Sequence, residues 1–159
     1  MPTFVYGELT PYIKALAAGR EDQLFPTGAA IVAMQDPTFT QVLAARAKLE
    51  ALRSAFAGYF QHYDVLLCPV TPVTATPHGL LELVVDGVTV SWTHVMDATS
   101  PFNLTGLPAL SVPYGFSSEE LPIGIQLVSK WFNESTILRL GALLERKGGL
   151  GDQRPPIAG

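Results

Sequence analysis

From Thr38 to Tyr63 the apolar residues Val42, Leu49, Leu52, Phe56, Tyr59 and Tyr63 fall mostly three or four apart, or at multiples of that spacing, with Ala45 filling the gap. That spacing lines up one face of an α-helix. Directly after it comes Val65-Leu66-Leu67-Cys68-Pro69-Val70, short enough for a strand and apolar enough to be buried on both faces. A helix that runs straight into a strand of this kind points to an α/β class. The helix start is also marked, because Thr38 and Gln41 have the spacing of a capping box, in which each side chain satisfies a backbone N–H of the first turn. Arg46, Lys48, Glu50 and Arg53 fall mainly off the apolar stripe.

The remaining segments are read in the same way. Residues 8–18 form a short helix, and 19–37, with Gly19, Pro26, Gly28 and Pro37, a connection containing at most a turn. Thr71 to Gly79 holds two prolines among threonines and reads as an extended loop. Leu81 to Trp92 is a hairpin about Asp86-Gly87, a dipeptide suited to a turn whose central residues both need positive φ. Its register sets Val85 against Val88, Leu83 against Val90 and Leu81 against Trp92. Residues 96–104 make a short helix interrupted by Pro101 and stopped at Gly106. Ala109–Tyr114 and Ile123–Ser129 are an antiparallel strand pair. The last helix starts on Asn133 as N-cap, with a hydrophobic staple between Phe132 and Ile137. Its apolar face is Ile137, Leu138, Leu140, Leu143 and Leu144, and it ends at Gly148-Gly149. The chain reads as a single partial domain over 1–159, with an N-terminal helix and connection over 1–37 and a loose tail over 150–159.

A chain of 159 residues is long enough to bury one core. Only 15% of it is charged while 48% is apolar, against a usual charged share of about 25%, so part of its surface is expected to meet another surface. The net charge of −4 and ten scattered basic residues exclude a phosphate-neutralising patch, so no nucleic-acid partner is expected. The uncharged segment between Asp97 and Glu119 is broken by Pro101, Gly106, Pro108, Pro113 and Gly115, so no membrane span is expected. The N-terminus lacks the pattern of a secretory signal, and Cys68 is the sole cysteine. Both fit a cytoplasmic location.

No nucleophile elbow, zinc-binding H-E-x-x-H helix or phosphate-cradling loop is present. His62, His78 and His94 are the histidines; Asp97 follows His94 by three residues, yet none has a second ligand at diagnostic spacing. They read as surface or loop residues, and Cys68 as a small core hydrophobe. Trp92 and Met96 fit either core packing or the wall of an apolar pocket.

Asp64-Val-Leu-Leu-Cys-Pro-Val-Thr-Pro72, Ser100-Pro-Phe-Asn-Leu-Thr-Gly-Leu-Pro-Ala-Leu-Ser-Val-Pro113 and Leu121-Pro-Ile-Gly-Ile-Gln-Leu-Val128 strongly resemble the amidase-signature family. Taken with the preceding helix, the Phe132–Leu144 segment and the Arg154-Pro-Pro-Ile tail, the likeness covers roughly residues 36–157 and is to the family's C-terminal portion. It implies part of an α/β/α fold with a mixed central sheet and flanking helices. The activity it implies is cleavage of carbon–nitrogen (amide) bonds by a Ser/cis-Ser/Lys triad, with no metal or organic cofactor. In the family those three residues precede everything seen here. Lys14, Lys48, Lys130 and Lys147 match no catalytic position and Ser117-Ser118 fall in the wrong part of the order, so no catalytic residue is assigned and the chain alone is expected to be inactive. The resemblance places Trp92, Thr93, Met96 and Ser100 as substrate-lining candidates. The expected partners are a small-molecule amide in the complete enzyme, and either a missing N-terminal portion or a second copy. The alternatives are a non-catalytic scaffold or binding module, or the same region of a glutamyl-tRNA amidotransferase A subunit. The hairpin at 81–92 fits a pocket flap or an oligomer contact.

Overall fold

The computed structural model describes residues 2–150, leaving aside the side chains of 2–9 and of Thr27. The chain divides into two compact units, Met1–Ala55 and Phe56–Gly159. The expected loose tail lies, from residue 151 onward, outside the described residues.

The first unit is helical. Helix α1 runs Pro2–Ala17, and after a 3-10 turn at Glu21–Gln23 helix α2 runs Pro26–Val32. This corrects the reading of 19–37 as a connection with one turn at most. Pro26 sits at the start of α2, where the amide that proline lacks would have no intrahelical partner. Packing of α2 on α1 supplies the stability that seven residues cannot supply alone. Lys14 donates to Asp36 Oδ1 at 2.8 Å and to the Met34 carbonyl at 2.8 Å, holding the end of α1 to the segment that enters helix α3, Phe39–Tyr59.

The entry to α3 is as expected. Gln41 Oε1 accepts from the Thr38 amide at 2.8 Å, and the Gln41 amide donates back to Thr38 Oγ1 at 3.3 Å. The apolar stripe is as expected except at its end, with Val42, Ala45 and Leu52 half-buried. Leu49 is buried and Phe56 and Tyr59 are half-buried, but the helix stops at Tyr59 and leaves Tyr63 exposed beyond it.

The second unit is built on a three-stranded sheet in the order β1 (Leu66–Pro69), β5 (Pro122–Val128), β4 (Ala109–Phe116). Both pairings are antiparallel, and the β4–β5 ladder is interrupted by a bulge between Pro113 and Gly115. Strand β5 is central, so Ile125, Gln126, Leu127 and Val128 are all buried. The run at 65–70 does not have the two-sided burial expected of it. As an edge strand, β1 alternates, and Leu67 is 55% exposed. The sheet divides its core between two faces. On one, Phe60, Phe102, Leu107 and Val128 pack with Phe56, Tyr59, Leu66, Cys68 and Trp131. On the other, Val112, Ile125, Leu127 and Ile137 pack with Val65, Leu110, Leu140 and Leu144, through helix α5 (Glu134–Gly148).

The hairpin of β2 (Glu82–Val85) and β3 (Val88–Ser91) has the expected register, with Leu83 opposite Val90 and Val85 opposite Val88. Asp86 and Gly87 take φ of 49° and 78°, the positive values that the two-residue turn requires. Pro101 opens the short helix α4 (Ser100–Thr105) rather than interrupting one, again because the first turn tolerates a missing amide. Gly106 ends it at φ 72°.

The N-terminus of α5 departs from its expected form. Phe132 adopts φ 62° and is 95% exposed, so its ring is turned out and no staple to Ile137 forms. Asn133 still stands at the N-cap position, but its Oδ1 accepts from the Thr136 hydroxyl at 2.9 Å instead of a backbone amide. Its Nδ2 donates to Ser129 Oγ at 2.8 Å. Leu138 and Leu143, expected on the apolar face, are exposed. Gly149 caps the far end at φ 62°.

Candidate functional site

The four candidate wall residues lie on one short stretch, because a 3-10 turn, Trp92–Met96, joins β3 to the segment that enters α4. Ser91 caps this turn: its Oγ accepts from the Thr93 amide at 3.3 Å and from the Thr93 hydroxyl at 3.0 Å. The short polar side chains thereby fix the point where the strand ends. The Trp92 amide donates to the Leu81 carbonyl at 3.0 Å, extending the hairpin by one bond. Trp92, Thr93 and Ser100 are half-buried and Met96 is 40% exposed. These residues therefore present apolar and hydroxyl surface partly open to the outside.

His94 and Asp97 are brought together on the same turn, with His94 Nδ1 2.8 Å from Asp97 Oδ2. A carboxylate on one ring nitrogen fixes the orientation of the imidazole and leaves the other nitrogen to act as donor or acceptor. Spacing alone indicates no more than a loop histidine; i,i+3 residues on a 3-10 turn eclipse one another. His62 and His78 are exposed and stand apart from this pair in sequence.

Two side chains, Gln126 on β5 and the half-buried Trp131 beyond it, hold the stretch and the helix that follows it. Gln126, 3% exposed at the middle of β5, donates from Nε2 to the Pro69 carbonyl at 2.9 Å and to the Ala98 carbonyl at 2.8 Å. Trp131 Nε1 donates to the Thr105 carbonyl at 3.0 Å, and Thr105 Oγ1 donates to the Pro101 carbonyl at 2.8 Å, so α4 is held at its end. Gln126 is not among the site residues expected from the sequence. A signal for it exists there: it is the lone polar side chain between Ile123 and Val128, and a polar group in a central strand must find partners.

Cys68 faces Gln126 directly across the β1–β5 pairing and packs against the first core cluster, as expected of a small hydrophobe. Burial pushes its thiol pKa up, opposed by a weaker hydrogen bond with Gln126. A native pKa above the unfolded value means that the folded chain keeps this proton when the unfolded chain has lost it. Stability is therefore expected to be constant below the unfolded thiol pKa of about 8.5 and to fall as pH rises above it. Urea midpoints between pH 7 and 10 test this: the Cys68→Ala variant should show a flatter decline than the parent, and parallel curves would refute it.

Lys14, the first lysine of the chain, is engaged by Asp36 and the Met34 carbonyl. Those two contacts suit an anchor between α1 and the segment that enters α3. No helix among the described residues is long and apolar enough to cross a membrane.

The model of the amidase family matches residues 23–138. The chain belongs to the amidase family. The A subunit of a glutamyl-tRNA(Gln) amidotransferase from Brevibacillus brevis is 45% identical over 100 residues, covering 63% of this chain and 20% of that protein. Its counterpart of the same name from Rhodospirillum rubrum is 39% identical over 140 residues, covering 85% of this chain and 27% of that protein. A crystal structure of an amidase superposes with a TM-score of 0.82 at 27% identity, over 92% of this chain and 34% of that one. The fold class is therefore α/β, that of the amidase-signature enzymes. The chain spans between about a fifth and a third of the length of these relatives.

Proposed function

We propose that this chain is the C-terminal portion, one partial domain, of an amidase-type hydrolase that cleaves carbon–nitrogen bonds, and that it supplies sheet strands and part of the substrate wall. The observation that carries the reading is the family match over 23–138 in a chain that spans 20% and 27% of the two curated relatives named above. A Ser/cis-Ser/Lys triad supplied from outside this chain would perform the acyl transfer. Trp92, Thr93, Met96 and Ser100 would contact the acyl side of a small amide, the two large apolar side chains excluding water and the Ser100 hydroxyl orienting the carbonyl. The partner is the upstream portion of the same enzyme, or failing that a second copy, in the cytoplasm. A second reading, part of an amidotransferase A subunit, is favoured by the 45% identity to one.

The test is ammonia release from benzamide and related carboxamides. The 159-residue chain alone is expected to give none, and the chain joined to an upstream segment bearing a Gly/Ser-rich region and a lysine is expected to hydrolyse them. In that joined protein Trp92→Ala should raise KM by about tenfold, the equivalent of losing roughly 1.4 kcal/mol of apolar contact. Turnover by the isolated chain that disappears on mutating one of its own residues would overturn the proposal.

A further inference from the structure

The stretch that carries Trp92, Thr93, Met96 and Ser100 has few internal means of holding its place. It consists of one 3-10 turn, a short link and the start of a six-residue helix, and its own hydrogen bonds are local: Asp97 amide to His94 carbonyl at 3.1 Å, Thr99 amide to Met96 carbonyl at 3.1 Å. Such bonds shape a turn without fixing where it sits. The long-range tie at its centre is Ala98, whose carbonyl accepts from Gln126 across 28 residues of sequence. The same amide nitrogen donates across 57 residues to Pro69, the last residue of β1.

Gln126 is itself rigidly placed. Its backbone is in the central strand, opposite Cys68 on one side and Ser111 on the other. On the same sheet face Gly124 leaves no slack, because a Cβ there would lie 3.2 Å from Val70 Cγ2. A planar amide with two N–H groups, held on a central strand, is suited to fixing two carbonyls at one distance from each other.

We propose that Gln126 is a positioning residue for the substrate wall: its amide clamps Ala98 to the end of β1 and so sets where Met96 and Ser100 stand. This deepens the proposed function and rests on it for the identity of the wall. The clamp itself rests on the buried amide and its two bonds. The chemistry it fits is a neutral amide packed against Met96, where a shift of the segment by a fraction of an ångström changes contact without unfolding anything.

The test uses the full chain, with amide hydrogen exchange and the Met96 methyl resonance as readouts. In Gln126→Met, of similar length but with no donor, the amides of Asp97, Thr99, Phe102 and Asn103 are expected to exchange about tenfold faster, as loss of a buried hydrogen bond implies. Those of Leu127, Val128 and the α5 residues 138–144 should be unchanged. Gln126→Glu adds a conditional form. Ionised, it sets a carboxylate against two carbonyl oxygens; protonated, it can donate to one of them. Exchange at 97–103 should therefore be fast at pH 8 and slow toward pH 5 in this variant alone, after correction for intrinsic rates. Cys68, the titratable side chain opposite, stays a thiol over that range because burial raises its pKa.

Benzamide titrated into the parent chain should shift the Met96 methyl, with about tenfold weaker binding in Gln126→Met. Parent-like exchange at 97–103 in both variants would overturn the clamp. So would loosening of the whole sheet by equal factors at every pH, which would mark Gln126 as a general core support. Equal benzamide affinity in parent and Gln126→Met would also overturn the positioning role. If the parent fails to shift with benzamide while the exchange results appear as expected, the substrate wall is misassigned and the clamp stands.

Discussion

Truncation of Leu127 to alanine is expected to destabilise the second unit by about 2–5 kcal/mol, the range for removing a leucine side chain from a core that cannot collapse around the gap. Leu127 is fully buried, at 0% exposure. It stands in the middle of the central strand with Leu67 opposite on β1 and Leu110 opposite on β4. Val112, Ile125 and Ile137 close the cluster around it. Neighbours on both edges and on α5 leave little freedom to fill the cavity, which puts the loss toward the upper part of the range. Leu67→Ala in the same cross-strand row is the control. With 55% of that side chain already exposed, its loss should be below about 1.5 kcal/mol, since less apolar area returns to water. Urea denaturation followed by far-ultraviolet circular dichroism gives both values. Equal effects at the two positions would mean that the sheet is covered differently from the arrangement described.

Gly141→Ala is expected to destabilise, against the ordinary preference of helices for alanine. Gly141 is buried inside α5, and a Cβ there would come within 2.5 Å of Leu110 Cδ2 and 3.4 Å of Val112 Cγ2. Helix propensity alone favours the substitution by about 1 kcal/mol. Overpacking a formed contact costs about 1–3 kcal/mol, and the Val112 methyl also stands close to the added Cβ. The net effect should be a loss of up to about 2 kcal/mol, rising with Gly141→Val. Gly58→Ala supplies the contrast, since nothing lies within 4 Å of a Cβ in that exposed helical position. It should stabilise by up to about 1 kcal/mol. The mechanism is checked by a double-mutant cycle: Leu110→Ala should remove most of the penalty of Gly141→Ala, giving a coupling of at least about 1 kcal/mol. Additive effects would show that the close approach of α5 to β4 is not what excludes a side chain at 141.

Features set by short-range chemistry are legible in the sequence. The Thr38–Gln41 cap, the Asp86-Gly87 turn with its register, and the glycine ends of α4 and α5 each depend on a few adjacent residues. The family is legible too, from three ordered stretches that the match over 23–138 contains. Features that depend on what lies across space are not. An apolar run says that a strand wants burial, and only the strand order shows that β1 is an edge with Leu67 uncovered. The spacing of Phe132 and Ile137 permits a staple, but whether it forms depends on one backbone angle, φ at Phe132, which has the left-handed sign. Helix α2 is hidden because it is only seven residues long and includes Pro26 and Gly28, while α1 supplies the packing it needs. At the candidate site, the position of Trp92 to Ser100 on one stretch follows from the chain, whereas the role of Gln126 emerges only when Pro69 and Ala98 are brought to it.

The strand order β1-β5-β4 also makes one of its two ladders local in sequence and the other long-range. Strands β4 and β5 are joined by a short loop and can zip up locally, whereas β1 must return from more than fifty residues away to lie along β5. Each doubling of such a closure adds only about 0.6 kcal/mol, yet it must be met before any of the new ladder bonds form. Wherever β1 is not in place, one rim of β5 is bare, and an unpaired rim of that kind is open to mispairing with another chain.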